Sequence, residues 1–269
     1  MLRTYRDEAI VLRTHKLGEA DRIITLLTRD NGQVRAVAKG VRKTTSKLGA
    51  RVEPFGVVDV QLHRGRTLDV ITQAETIAAH GRLIADDYDL YTAATVMVET
   101  AERLTADSAE GCHAQYLLLV GALFAMSHRR HAPVLVLDSY LLRALAIAGW
   151  APSCYDCAVC GAQGPHRAFS IPEGGAVCER CRPAGSAAPA PASMSLMGDL
   201  LSGDWTQADR SEAHCRAEVA GLVSAYTQWH LERRLRSLPV LEDALSESSA
   251  RAGSRVPASP APAPAGATR

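Results

Sequence analysis

Two Cys-x-x-Cys pairs, Cys157/Cys160 and Cys178/Cys181, stand 17 residues apart, and their spacing is the clearest chemical signal in the chain. Zinc takes four soft ligands in a tetrahedron, and a two-residue spacer folds two thiolates onto one ion. The C-x2-C-x17-C-x2-C pattern lies within the range that zinc sites use. Gly161 directly follows the first pair, where a tight knuckle needs a residue tolerant of positive φ, and Gly174-Gly175 lets the chain turn back before the second. Four cysteines close the coordination shell and leave no place for a reactive water. The expected ion is therefore one structural Zn2+ per chain.

Other uses of these sulfurs follow different rules. Two disulfides would need an oxidising compartment. A redox pair would be a single Cys-x-x-Cys beside a βαβ pattern, which this sequence does not offer. Tetrahedral sulfur also suits an iron–sulfur cluster. Cys154 makes a legal pair with Cys157 and could replace Cys160, although the glycine after Cys160 favours Cys157/Cys160. His166 is a further candidate ligand outside the set. Cys112 and Cys215 fall in helical patterns and read as ordinary thiols.

A second group points to a polyanion. Arg35, Lys39, Arg42, Lys43, Lys47 and Arg51 occur with no acid among them, and three of the chain's four lysines lie here. Net charge is only +1, yet residues 1–80 carry 14 Lys/Arg against 9 Asp/Glu. A mobile basic arm neutralises phosphates without reading bases; the plainer alternative is a solvated loop. Small β-barrels bind single strands through basic grooves and stacking aromatics, and this region offers Tyr5 and Phe55, the latter equally suited to a core. No P-loop, nucleophile elbow or H-E-x-x-H motif occurs, so the expectation is a binding protein and not an enzyme. Asp86-Asp87-Tyr88-Asp89 is acidic but falls where a helix begins, and carboxylates there suit the helix dipole.

The elements that must position these groups are legible as runs. Residues 9–13, 23–27, 34–39, 58–62 and 68–72 are β-rich stretches. Asn31-Gly32 supplies a hairpin turn, and Arg64-Gly65-Arg66 supplies another. Five strands in this length predict a small barrel or sandwich. The connection from Gly40 to Pro54 is long enough to be functional or disordered, and it carries Arg42, Lys43, Lys47 and Arg51. Near residue 83 the period becomes helical, through Tyr88, Tyr91, Val98, Ala101 and Leu104. Residues 116–126 form a second helix, and Pro133 opens a third that ends at Gly149. After the cysteine segment and a small-residue linker, Ser193 is a candidate cap for a helix containing Leu196, Leu200 and Leu201. A last helix from about Glu212 to Leu238 aligns Val219, Leu222, Tyr226, Trp229 and Arg233, with Trp229 packed and His230 facing solvent.

The expected organisation is α+β. An all-β domain spans 1–82, a helical domain spans 83–242 with the four-cysteine insertion at 151–184, and residues 243–269 form a tail too poor in apolar residues to order. No apolar run approaches the ~20 residues of a membrane span. The N-terminus has no apolar signal core, so the expected location is the cytoplasm.

In this order the features resemble the RecO family of bacterial DNA repair and recombination mediators, over residues 5 to about 242. The marks are Glu8-Ala9-Ile10-Val11-Leu12-Arg13 with Glu19-Ala20-Asp21-Arg22, then Val37-Ala38-Lys39-Gly40-Val41-Arg42. Leu145-Ala146-Ile147-Ala148-Gly149-Trp150-Ala151-Pro152, the cysteine pairs, and His230-Leu231-Glu232-Arg233-Arg234-Leu235-Arg236-Ser237-Leu238 complete them. The resemblance implies an N-terminal OB-fold, a helical domain interrupted by a zinc-binding insertion, and binding of single- and double-stranded DNA without strong sequence preference. It further implies annealing of complementary strands, including strands coated by single-strand binding protein, and cooperation with RecR to load RecA at gaps in the bacterial nucleoid. On this chain it places the zinc role on Cys157, Cys160, Cys178 and Cys181, and DNA contact on Arg35, Lys39, Arg42, Lys43, Lys47 and Arg51. Some family members lack the four cysteines, so the metal supports the fold and not the chemistry. The acidic, aromatic-ended tail of single-strand binding protein calls for a basic-rimmed apolar pocket among the helices. Cys154 and the Pro/Ala-rich tail fall outside the family pattern. The rival readings are a zinc-ribbon RNA-binding factor or enzyme, and an adaptor that binds only proteins.

Overall fold

The computed structural model describes residues 3–106 and 111–231. Strands β1 (Thr4–Leu17), β2 (Asp21–Thr28), β3 (Gly32–Ala38), β4 (Val57–His63) and β5 (Asp69–Ala78) close into a barrel in the order β1-β2-β3-β5-β4. Within the barrel β3 and β5 are the parallel pair, with Ala36 opposite Asp69 and Val37 opposite Val70. Closure removes the sheet edges, and this arrangement makes an OB-like barrel. Gly32 takes φ +69 at the β2–β3 hairpin, as the Asn-Gly pair requires.

Alternation along the strands divides their side chains between two interiors. Ala9 and Val11 of β1 fill the barrel with Ile24, Leu26, Ala36, Val58, Val60, Leu62 and Ile71. Ile10 and Leu12 point the other way and join the helical core, together with Leu27, Phe55 and Val57. A strand buried on both faces reads as a continuous apolar run, which is the form of residues 9–12. β1 extends well beyond that run because its first half pairs with β4 and its second half with β2, so backbone pairing holds its polar ends.

The helices are α1 (His80–Ala85), α2 (Tyr88–Leu104), α3 (Cys112–Ser127), α4 (Pro133–Ile147), α5 (Pro191–Ser202), α6 (Trp205–Ala208) and α7 (Ala213–His230). Between α4 and α5 lies a short hairpin, β6 (Ala168–Ser170) and β7 (Gly175–Val177). α4 is apolar on nearly every side and sits at the centre, packed by α2, α3, α5 and α7. The acidic cluster caps a helix: the Asp87 carboxylate accepts the backbone N–H groups of Asp89 and Leu90 at 3.0 and 3.2 Å. No helix among the described residues is long and apolar enough to cross a membrane.

Three details differ from the sequence expectation. Ser193 is not a cap; the helix begins at Pro191 and Ser193 is buried inside it. Pro at the first position removes one of the N–H groups a cap would satisfy, and the Ser193 N–H already donates to the Ala190 carbonyl at 3.0 Å. Trp229 is 57% exposed, whereas His230 is half-buried, tilted against Tyr226 at 4.4 Å and stacked on Trp150 at 5.3 Å. The buried stripe of α7 runs through Val219, Val223, Tyr226 and Thr227, and four residues beyond Tyr226 is His230. Tyr88 and Tyr91 share the period of Val98 and Ala101 but face outward, at 62% and 47% exposure. Residues 232–238 of the last expected helix, Arg233 among them, and the tail from 243 lie outside the described residues.

Candidate nucleic-acid interface and metal centre

The connection between β3 and β4 is folded onto the barrel as a lid, not extended as a free arm. Val41 and Val52 are buried in the barrel core and Leu48 packs against it. A short 3-10 turn, Gly49–Arg51, leads back toward β4. The other anchor is the β1–β2 turn: the Gly40 N–H donates to Asp21 Oδ1 at 2.7 Å and the Arg42 N–H to the Ala20 carbonyl at 2.9 Å. The apolar residues scattered through this basic stretch are what fold it. Their burial leaves Lys39, Arg42, Lys43 and Lys47 on the outside. Among the described residues none of these four forms an ion pair, and only Arg42 makes a side-chain hydrogen bond, to the Gly18 carbonyl at 3.1 Å.

The other two clustered arginines stand apart from that group. Arg35, on β3, lines a polar cleft of about 380 Å3 with Arg13, His15 and Gln33, facing Glu99 and Glu102 of α2. Arg51 donates to the Ala74 carbonyl at 2.8 Å and borders a second cleft, about 410 Å3, between the lid and α1. Tyr5 and Phe55 are both committed elsewhere. The Tyr5 hydroxyl donates to Asp69 at 2.6 Å and its ring lies under Arg64, and burial with the Asp69 bond raises its pKa. Phe55 is 4% exposed. A half-exposed aromatic, Tyr91, lines the cleft beside the lid, and its ring and that of Phe55 meet in a T-shape at 5.5 Å. Helical periodicity places Tyr91 on a helix but carries no signal that its ring reaches the barrel's surface.

In the cysteine segment the hairpin places the second pair and two backbone bonds place the first. The Cys157 N–H donates to the Ala162 carbonyl and the Gly161 N–H to the Cys157 carbonyl, both at 2.8 Å, with Gly161 at φ +70. A Cβ on Gly175 would collide with the Ser153 carbonyl, so only glycine lets the hairpin approach that strand. The sulfurs of Cys157, Cys160, Cys178 and Cys181 all lie within 4.8 Å of one another. Cys160 and Cys178 sulfurs are 3.8 Å apart. A zinc tetrahedron with Zn–S near 2.3 Å has edges of about 3.8 Å, so the donor set fits such an ion.

Backbone dipoles already favour thiolate here. The Cys178 N–H points at Cys157 Sγ at 3.4 Å, and this bond, with that of Cys160, lowers the Cys157 thiol to about 6. The crowding of thiols beside Cys178 pushes Cys181 up to about 12, the order expected when like charges share one site. Arg180 lies beside Cys160, whose sulfur raises the guanidinium pKa. The cysteines are unbridged, and Cys154 is not among the four. It packs in the helical core, its thiol pushed up to about 12 by burial. His166 is hydrogen-bonded to the Ala162 carbonyl at 2.8 Å. Cys112 and Cys215 are buried. β6 carries the consequences outward: Ala168 faces the sulfurs, while Phe169 turns to the helical core and meets Tyr226 at 6.0 Å.

Comparison with known proteins agrees with this layout. Residues 1–80 match the family model described as Recombination protein O N terminal, and residues 85–239 match Recombination protein O C terminal. The chain is 55% identical over 240 residues to the DNA repair protein RecO of Thermobifida fusca (strain YX), covering 89% of this chain and 99% of that relative. It is 58% identical over 241 residues to the DNA repair protein RecO of Nocardioides sp. (strain ATCC BAA-499 / JS614), covering 88% and 99%. With both family models matched in sequence and an OB-like barrel leading into a helical region, the chain belongs to the RecO family of DNA repair and recombination proteins.

Proposed function

We propose that the chain is a non-enzymatic mediator that binds single- and double-stranded DNA, anneals complementary strands and helps load recombinase at gaps. The observation that carries this reading is the barrel lid, where Lys39, Arg42, Lys43 and Lys47 are exposed with no carboxylate partner among the described residues. Unpaired cations on a closed barrel bind phosphates by releasing counterions, independently of sequence. Two complementary strands repel each other, and a surface that screens both lowers the barrier to pairing. Base pairing then supplies the specificity.

The division of labour follows the two regions. Residues 1–82 serve as the DNA-binding domain and 83–242 as the helical domain, with residues 151–184 held by one structural Zn2+ on Cys157, Cys160, Cys178 and Cys181. That ion supplies folding energy and no reactive water. RecR, the tail of single-strand binding protein and, indirectly, the RecA filament are the partners proposed from the family, with action at the nucleoid. Two complementary fluorophore-labelled strands, mixed with the purified chain with and without single-strand binding protein, give the test. Annealing faster than the spontaneous rate, fading as salt rises, is expected. No acceleration at low salt from zinc-loaded protein overturns the reading.

A further inference from the structure

The cleft between the lid and α1 has a construction that phosphate binding alone does not require. Phe55 and Tyr91 line it together with Pro54 of the lid and Gly81 of α1. A Cβ on Gly81 would come within 2.6 Å of the Pro54 carbonyl, so the helix approaches the lid as closely as glycine allows. Phe55 adopts φ +68, a conformation that bulky residues avoid. Two bonds to β1 hold it there: the Phe55 N–H donates to the Val11 carbonyl and the Val11 N–H to the Gly56 carbonyl, each at 3.0 Å. Backbone strain of this kind persists where surrounding structure imposes it, and it concentrates at binding sites.

The result is an aromatic ring presented to solvent. The Phe55 and Tyr91 rings meet in a T-shape, at 5.5 Å and 87°, so the buried ring braces the exposed one at a fixed angle. Tyr91 is 47% exposed. Arg51 and Arg82 flank the cleft, and Glu53, its one carboxylate among the lining residues, is paired with Arg22 at 2.9 Å. The chemistry that matches an exposed aromatic side chain in a cleft shared with two arginines is a planar base with anionic links on either side. The chain direction agrees: Lys43 and Lys47 lie on the lid, whose last residues form the cleft wall.

We propose that this cleft is a base-stacking subsite, in which the Tyr91 ring takes one unstacked nucleobase of a bound single strand while Arg51 and Arg82 face its flanking phosphates. The proposal rests on the DNA-binding reading above and adds a residue from the helical region to it. A volume of about 410 Å3 accommodates a nucleobase with part of its backbone. Stacking on one aromatic ring is sequence-tolerant because every base has a π-face. The subsite therefore adds grip without readout.

The test uses the full chain and two oligonucleotides identical except for internal abasic sites. Anisotropy titrations of the unmodified chain are expected to show about tenfold tighter binding of the base-bearing strand. Tyr91→Ala should erase that preference and leave the salt slope unchanged, whereas Tyr91→Phe should keep it. Arg82→Ala, at an exposed position, should weaken both strands alike and flatten the slope by about 0.7. Photocrosslinking from 5-iododeoxyuridine strands should map to Tyr91. Equal affinity for the two strands, or crosslinks confined to other residues, overturns the subsite and leaves the lid as a phosphate binder. Failure to bind either strand overturns the DNA-binding reading and the subsite together. If Tyr91→Ala weakens an acidic peptide ending in an aromatic residue but not DNA, the cleft belongs to a protein partner and the proposal falls.

Discussion

The lid over the barrel is held by apolar anchors, Val41 and Val52, that enter a core the strands would form in any case. The cysteine segment has almost no interior of its own: beside its sulfurs, Ala168 and Val177 are the buried residues of its small cluster. Two short strands and a pair of small side chains cannot offset the ordering of so long a segment. The lid's charged residues face out and its anchors face in, so the DNA contact proposed for it is separable from its stability. In the cysteine segment the residues that could hold a metal ion and those that the proposed ion would make stabilising are the same four sulfurs. Damage to one region should appear in binding, and damage to the other in folding.

The largest effect tests the sulfur side. Cys178→Ser should lose the metal and cost several kcal/mol, lowering the melting temperature of the helical region through the Phe169–Tyr226 contact. Metal content and a melting curve decide it; a variant that keeps one zinc per chain and its transition removes Cys178 from the ligand set. The next test is on the lid. Replacing Lys39, Arg42 and Lys43 with alanine should flatten the salt dependence of single-strand affinity by about 2 in log–log slope, at roughly 0.7 per phosphate, with melting unchanged. An unchanged slope removes the lid from the interface.

A smaller effect probes whether the lid's anchors and charges are separable. Val52→Ala removes two buried methyl groups and should cost about 2 kcal/mol, read from urea unfolding, while the salt slope persists. If the slope falls as well, the lid's position and its charges are coupled. The smallest effect lies outside both regions and serves as a reference. Asp87→Ala removes the α2 cap and should cost about 1 kcal/mol at neutral pH. The Arg129 bond, followed by the cap N–H groups, holds the Asp87 carboxyl below its usual range. Its stabilisation is thus present above the unfolded-state carboxylate pKa and lost as pH falls through the folded value, so the variant and parent should converge in acid.

Much of this molecule was legible as local pattern. The strand runs, the Asn31-Gly32 turn, the Pro133 start of α4 and the clustering of four cysteines depend on residues close in sequence, and each appears where its pattern put it. The choice between Cys154 and Cys160 was legible only as a preference, from the glycine that follows Cys160. Both make a legal pair with Cys157, and the packing of Cys154 into the helical core, away from the other four sulfurs, separates them. Charge was legible as a run but not as a surface. Arg35 and Arg51 share that run with Lys43, yet the barrel's curvature sends them to different clefts. The exposure of Tyr91 is not legible for a related reason: helical period reports which residues share a face, and what meets that face is decided by other elements. The sequence by itself determined the sulfur cluster and the order of elements, because spacing and turn chemistry act within a few residues. Only the tertiary structure decided that Tyr5 and Phe55 are committed and Tyr91 is exposed, because exposure depends on which surfaces, distant in sequence, close over one another.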